Sequence, residues 1–191
     1  MCGIIGHVGP GDRTLDVLLA GLSSLEYRGY DSAGVALRDE RDGDLTVVKR
    51  EGELDALETT VDALDVPPRG SVGVGHTRWS THGPPSDRNA HPHTDDRNRV
   101  AVVHNGIIDN HAALREELEA AGHEFTSDTD TEVLAHLFAD ALDEFDPETA
   151  FRRAVDRLEG SYAVAAVARD AEALFAARRD SPLVVGVGDG A

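Results

Sequence analysis

The sequence has one cysteine, Cys2, in 191 residues. A single thiol excludes any intrachain disulfide, so nothing here is stapled for an oxidising compartment. No apolar run is long enough to span a bilayer, and no charged-then-apolar leader opens the chain. A soluble, cytoplasmic protein is expected. Cations are also scarce. Lys and Arg number 18 against 36 Asp and Glu, the net charge is −18, and Lys49 is the sole lysine. Such a surface repels nucleic acid and anionic membranes, so neither is expected as a partner. The acids are spread along the chain rather than blocked at one end, the pattern of a solvated acidic surface suited to a salt-rich, halophilic setting. There is no HExxH, GxSxG elbow, GxGxxG or P-loop. No linker, repeat or low-complexity stretch divides the chain, and 191 residues suffice to bury a core.

What is present reads as strands in pairs and runs, separated by groups of helices. Strands are expected at 3–8, 32–38, 45–50, 71–79, 99–107, 161–168, 173–178 and 183–187. The 32–38 and 45–50 segments flank a polar turn and make a hairpin. Leu15, Leu18, Leu19, Leu22 and Leu25 recur at helical spacing, giving a helix over about 13–27. A weaker helix at 53–64 ends before Pro67-Pro68, and further helices fall near 110–121, 131–143 and 148–158. Between 80 and 98 lies a polar stretch rich in Pro and His with no period, a long loop of the kind that is functional or mobile. The order argues for helices packed on antiparallel sheets, an α+β fold. The last strand runs almost to Ala191, so the chain is expected to stop at a domain boundary.

Several short blocks can carry chemistry. If Met1 is removed, Cys2 holds a thiol and a free α-amine together, and the amine titrates near neutrality at about 7.7–8.0. Nucleophile and base are then one residue. Position alone favours an incidental free thiol. In "GHTRWSTHG" (75–83), Arg78 offers a fork of donors suited to a carboxylate, with Thr77, Ser80, Thr81 and His82 as further donors, or else it is a structural arginine among many acids. In "HNG" (104–106), Asn105 and the Gly106 N–H can face a developing oxyanion, although Asn-Gly alone is commonly a turn. In "SDTDTE" (127–132), Asp130 can accept from an ammonium or simply cap a helix. Arg28 and Asp31 lie in the glycine-rich "YRGYDSAG" (27–34), where a salt bridge is the plain alternative. His76, His82, His91, His93 and His104, with Asp130, leave open a metal-dependent hydrolase, though no strong ligand spacing supports one. A non-catalytic docking module stays open as well.

Taken in order, MCGIIG, EYRGYDSAG, HTRWSTHG, NAHPH, VVHNGIIDNH and SDTDTE resemble the class II glutamine amidotransferases. Their wording is similar to the glutaminase domain of the glutamine–fructose-6-phosphate aminotransferase (isomerizing) family, over essentially all of residues 1–191. The resemblance implies a four-layer αββα sandwich of the N-terminal nucleophile hydrolase type. It implies Cys2 as nucleophile with its own α-amine as base, Asn105 and Gly106 as oxyanion hole, and Arg78 and Asp130 on the glutamine α-carboxylate and α-ammonium. Trp79, Thr81 and His82 then line and cover L-glutamine, and Arg28 supports the N-terminus. No cofactor and no metal are implied. Ser80 stands where alanine is common, with no consequence expected. The family's sugar-isomerase domain, which binds fructose 6-phosphate and receives the ammonia, is absent from this chain, which is expected to be the glutaminase portion of a longer enzyme.

Overall fold

Side chains alternate between the two faces of a strand, and here that alternation sorts the molecule into layers. The computed structural model describes residues 2–10, 12–80 and 82–188. Strands β1 (Gly3–Val8), β2 (Ser32–Arg38), β3 (Leu45–Glu51) and β4 (Val72–Arg78) form an antiparallel sheet in the spatial order β1-β4-β2-β3. Strands β5 (His93–Thr94), β6 (Val100–Ile108), β7 (Gly160–Ala168) and β8 (Ala171–Arg179) form a second, in that order. Along β6, Ala101 and Val103 meet Val72 and Val74 of the first sheet, whereas Val100 and Val102 turn to the helices. Strand β7 repeats the rule, with Ala165 and Val167 inward and Val164, Ala166 and Ala168 outward.

Helices close both outer faces. Leu18 and Leu22 of α1 (Thr14–Leu25), with Leu54, Leu57 and Val61 of α2 (Leu54–Asp62), pack on Val35 and Leu37 of the first sheet. On the second sheet lie α3 (His111–Ala120), α4 (Glu132–Ala141) and α5 (Pro147–Asp156), centred on the fully buried Phe138. Helix α5 starts where it does because the Asp146 carboxylate accepts from Thr149 N–H at 3.1 Å and Pro147 occupies the first turn. The result is the αββα sandwich, with three buried layers between four. No described helix is long and apolar enough to cross a membrane.

The expected hairpin is β2–β3, registered from Ser32↔Glu51 to Arg38↔Leu45. Two expectations differ. Residues 183–187 form no strand: Val184, Val185 and Val187 are 90%, 82% and 90% exposed, and the segment pairs with neither sheet. The polar stretch after β4 is not a free loop. Asn89, Ala90, His91 and His93 are buried, and His93–Thr94 pair with β6. Lys49 holds this segment from β3, its Nζ donating to the carbonyls of Ala90 at 2.8 Å, Pro92 at 3.2 Å and Arg88 at 3.4 Å.

Candidate active site

The register Gly3↔Thr77 brings the residue before β1 beside the end of β4, so Cys2 meets Arg78 and Trp79 from 77 positions away. The Trp79 main chain clasps the thiol: its N–H donates to Sγ at 3.2 Å and its carbonyl accepts from Sγ at 3.4 Å. Among the described residues, no side chain is hydrogen-bonded to Sγ. Burial pushes the Cys2 thiol above its ordinary pKa, and the Trp79 N–H opposes that only in part. The resting sulfur is therefore a thiol that needs a base. Cys2 faces a cavity of about 610 Å³ whose wall includes Arg78, Trp79, His82, Asn105 and Asp130, a volume suited to a small ligand.

The opposite wall comes from β6. Asn105 reaches across the two sheets, its Nδ2 donating to the Cys2 carbonyl at 3.1 Å. Its Oδ1 accepts from His76 Nε2 at 2.9 Å, and the same nitrogen lies 3.1 Å from the His104 carbonyl. Both partners are acceptors, so the proton sits on Nε2 of His76. Burial holds His76 down to about pKa 3 and keeps it neutral. The amide of Asn105 is thus fixed with its donor end toward Cys2. Gly106 follows with φ +130°, and a Cβ there would overlap the Ser161 carbonyl, so only glycine fits.

Two opposite charges stand in the cavity wall with capacity left over. Arg78 is 3% exposed; its Nη2 donates to the carbonyls of His82 and, at 3.1 Å, Gly83, while Nη1 has no partner among the described residues. Burial lowers its pKa against the pull of Cys2, Asp31 and Asp130, yet the guanidinium stays charged. Asp130 is 5% exposed and accepts from Ile108 N–H at 2.9 Å. Its nearest basic group is His104, 3.8 Å away, which burial holds below its usual pKa. A guanidinium and a carboxylate so placed match the two charged ends of an α-amino acid.

Trp79 is half-exposed and meets Tyr30 edge to face at 5.3 Å between centroids. His82 gives its carbonyl to Arg78 and sets its ring against His111 at 5.4 Å. Thr81 lies outside the described residues. Arg28 lines the cavity, but its Nε donates to the Tyr27 hydroxyl at 3.0 Å, and no hydrogen bond joins it to Cys2. The supporting contacts come from its neighbours. Asp31 accepts from Ser80 N–H at 2.7 Å and donates its own N–H to the Arg78 carbonyl at 3.0 Å, and Gly29 packs on the Arg78 backbone where no Cβ would fit.

The histidines do not assemble into the expected rival metal centre. His91 stacks on His76 at 4.2 Å and accepts from His104 N–H at 3.2 Å; His104 and His93 meet the hydroxyls of Thr131 at 2.9 Å and Thr129 at 3.0 Å. Nδ1 of His93 and Nε2 of His104 have no partner among the described residues, but these side chains do not bring three ligand atoms together, and burial keeps His91 and His93 neutral. Asn105 orientation by His76 and the Lys49 anchor are the parts that the motifs alone did not reveal.

The sequence profile described as "Glutamine amidotransferase domain" matches residues 76–190. The chain is 54% identical over 192 residues to the glutamine–fructose-6-phosphate aminotransferase (isomerizing) of Streptomyces coelicolor, and 53% identical over 190 residues to that of Thermus thermophilus. Both alignments cover 100% of this chain but 31% and 30% of the relatives, so the chain spans under a third of their length. Among solved structures, the glutamine phosphoribosylpyrophosphate amidotransferase from B. subtilis superposes with a TM-score of 0.72 at 27% identity, covering 88% of this chain and 35% of that one.

Proposed function

This chain belongs to the family of glutamine amidotransferase domains, and on that premise we propose that it hydrolyses L-glutamine to L-glutamate and ammonia with Cys2 as nucleophile. Its four layers are those of the N-terminal nucleophile hydrolase fold. The observation that carries the reading is the meeting, in one cavity, of a lone thiol, an amide donor locked by a neutral histidine, and a buried Arg78–Asp130 pair of charges with unused capacity. Arg78 takes the substrate α-carboxylate and Asp130 its α-ammonium, which directs the side-chain amide toward Cys2.

The thiol has no side-chain base, so the α-amine exposed by removal of Met1 accepts its proton. Sγ bonds to the amide carbon, and the electron pair moves onto oxygen, where Asn105 Nδ2 and the Gly106 N–H meet it. Collapse breaks the C–N bond, and the amine returns the proton to the departing ammonia. Water then adds to the thioester, its proton passing to the same amine. The C–S bond breaks, the amine returns its proton to Sγ, and glutamate leaves. Trp79 and His82 line the substrate, Arg28 stands in the same wall, and Asp31 and Gly29 support the turn beside Arg78. Residues 1–191 act as one glutaminase domain.

The relatives' names extend the proposal. The ammonia passes to fructose 6-phosphate held by a covalently following sugar-isomerase domain. A nucleophile that must stay reduced suits a cytoplasmic location. The test is a glutaminase assay with intact mass measured alongside. Cys2→Ala is expected to abolish turnover with the fold unchanged, and chain retaining Met1 is expected to be inert because its Cys2 nitrogen is an amide. Activity surviving in Cys2→Ala would falsify the mechanism.

A further inference from the structure

A second cluster of chemistry-bearing side chains lies outside the glutamine cavity, where the β5–β6 connection, the residues after α3 and the helix α4 come together. We propose that Asp96, His123 and His136 form a binding site for a divalent transition-metal cation of the zinc class. One ligand atom from each residue falls within 4.8 Å of the others.

His136 supplies the first argument. It is 0% exposed, and neither ring nitrogen has a hydrogen-bond partner among the described residues. A buried imidazole with both nitrogens idle is rare in a folded protein and calls for an explanation. Glu132 is near, its Oε1 3.9 Å from Nε2, but the Glu132 carboxylate is already taken up by Thr126 and Ser127.

His123 supplies the second. Its Nε2 lies 3.0 Å from Asp140 Oδ2 and donates to it. That bond fixes the tautomer and leaves the Nδ1 lone pair free. Nδ1 has no hydrogen-bond partner and stands 3.7 Å from Asp96 Oδ2. Two electron-pair donors face each other, an arrangement that a cation stabilises. A carboxylate behind a histidine is also how metal-binding imidazoles are commonly oriented.

The donor set selects the ion. Two imidazoles and one carboxylate suit zinc and its neighbours, whereas calcium and magnesium want oxygen alone. Bonds of about 2.0–2.1 Å to zinc put tetrahedral ligands about 3.4 Å apart. His123 Nδ1 and Asp96 Oδ2 already stand near that separation at 3.7 Å, and solvent beside the exposed Asp96 can supply the fourth ligand. A protonated His123 bridging Asp96 and Asp140 is the competing arrangement. It accounts for His123 and leaves both nitrogens of His136 idle. An ion here ties the β5–β6 connection to α4, the helix that follows Asp130 directly.

Zinc chloride titrated calorimetrically into chelator-treated Cys2→Ala chain tests this, since that background removes the sulfur as a competing ligand. One zinc per chain is expected, together with a higher melting temperature. Asp96→Ala, at an exposed position that leaves the fold in place, and His123→Asn should each weaken binding about tenfold or more, and Asp140→Asn by about 10–100-fold. His82→Asn, in the glutamine cavity, should leave it unchanged. No binding at millimolar zinc, affinity unchanged from the Cys2→Ala parent in Asp96→Ala or His123→Asn, or loss of binding in His82→Asn would each overturn the proposal.

Discussion

The side-chain amide of Asn105 can sit either way round, and His76 decides which. Its single proton, on Nε2, meets Oδ1, so Nδ2 must face Cys2. Removing the donor in Asn105→Ala should lower kcat by roughly 10²–10³, the loss seen for single oxyanion donors. His76→Phe keeps a ring but frees the amide to turn, and should lower kcat less while leaving KM alone. Arg78→Lys and Asp130→Asn should mainly raise KM, since lysine lacks the two-pronged geometry and asparagine lacks the charge. Steady-state kinetics on the four variants checks the division; equal changes in kcat and KM at every site would undo it. Protonation follows the same logic. Burial holds His76 down to about 3 and His91 and His93 well below their ordinary range, so these three stay neutral in weak acid, and burial lowers His104 as well. The acid limb of kcat/KM is then expected at about 7.7–8.0, where an α-amine titrates. Stability carries the opposite end of this shift. An unfolded histidine binds its proton near 6.5 and native His76 near 3, so the unfolded chain gains protons first as the pH falls. Stability present above 6.5 should be lost progressively down to about 3, read as a falling urea midpoint.

The segment from 80 to 98 shows what an element owes to a distant residue. Its composition is that of a loop, yet three of its carbonyls converge on Lys49 of β3. Burial lowers the Lys49 pKa from 10.5 to about 8. Between those values the unfolded chain holds more protons than the native one, so Lys49 makes stability rise with pH across that window. Lys49→Met, which keeps the stem and removes the donors, should loosen 88–93 and erase this rise. Urea unfolding at a series of alkaline pH values, compared between the two proteins, measures it; parallel curves would exclude the assignment. The elements themselves were largely legible. Leucine spacing located α1, and short apolar runs located β2, β4 and β6, because both faces of those strands are buried over most of their length. The site was legible as ordered blocks, with Cys2, Arg78, Asn105 and Asp130 all meeting one cavity. What stayed hidden depends on contacts made at long range: the Lys49 anchor, the orientation of Asn105, and the fate of 183–187, an apolar run that pairs with neither sheet. The role given to Arg28 falls in part to Asp31, because a turn's sequence does not say which of its charged residues faces the neighbouring strand.

At the scale of the whole molecule, acids outnumber cations two to one. Pairs such as Arg50–Asp87 at 2.7 Å and Arg157–Glu117 at 2.6 Å therefore leave half of the acids without a cation to meet. The Debye length falls from about 10 Å at 0.1 M to about 3 Å at 1 M salt, which quenches repulsion between surface carboxylates. The melting temperature should climb as potassium chloride is raised into the molar range, and a thermal scan that is flat in salt would remove the halophilic expectation. Glutamine binding should survive there, because Arg78 and Asp130 are 3% and 5% exposed and poorly screened, and calorimetry at molar salt reads this directly. The hydrogen bond from Asn105 to Cys2 crosses from one sheet to the other. Thiol and guanidinium are encoded before the exposed Pro84-Pro85, and amide and carboxylate after it. A chain divided there yields two fragments with no site in either and a complete one in their pair. At low concentration the reassembled activity grows with the product of the two fragment concentrations, so the domain can serve as a two-part reporter of when the proteins fused to its halves meet.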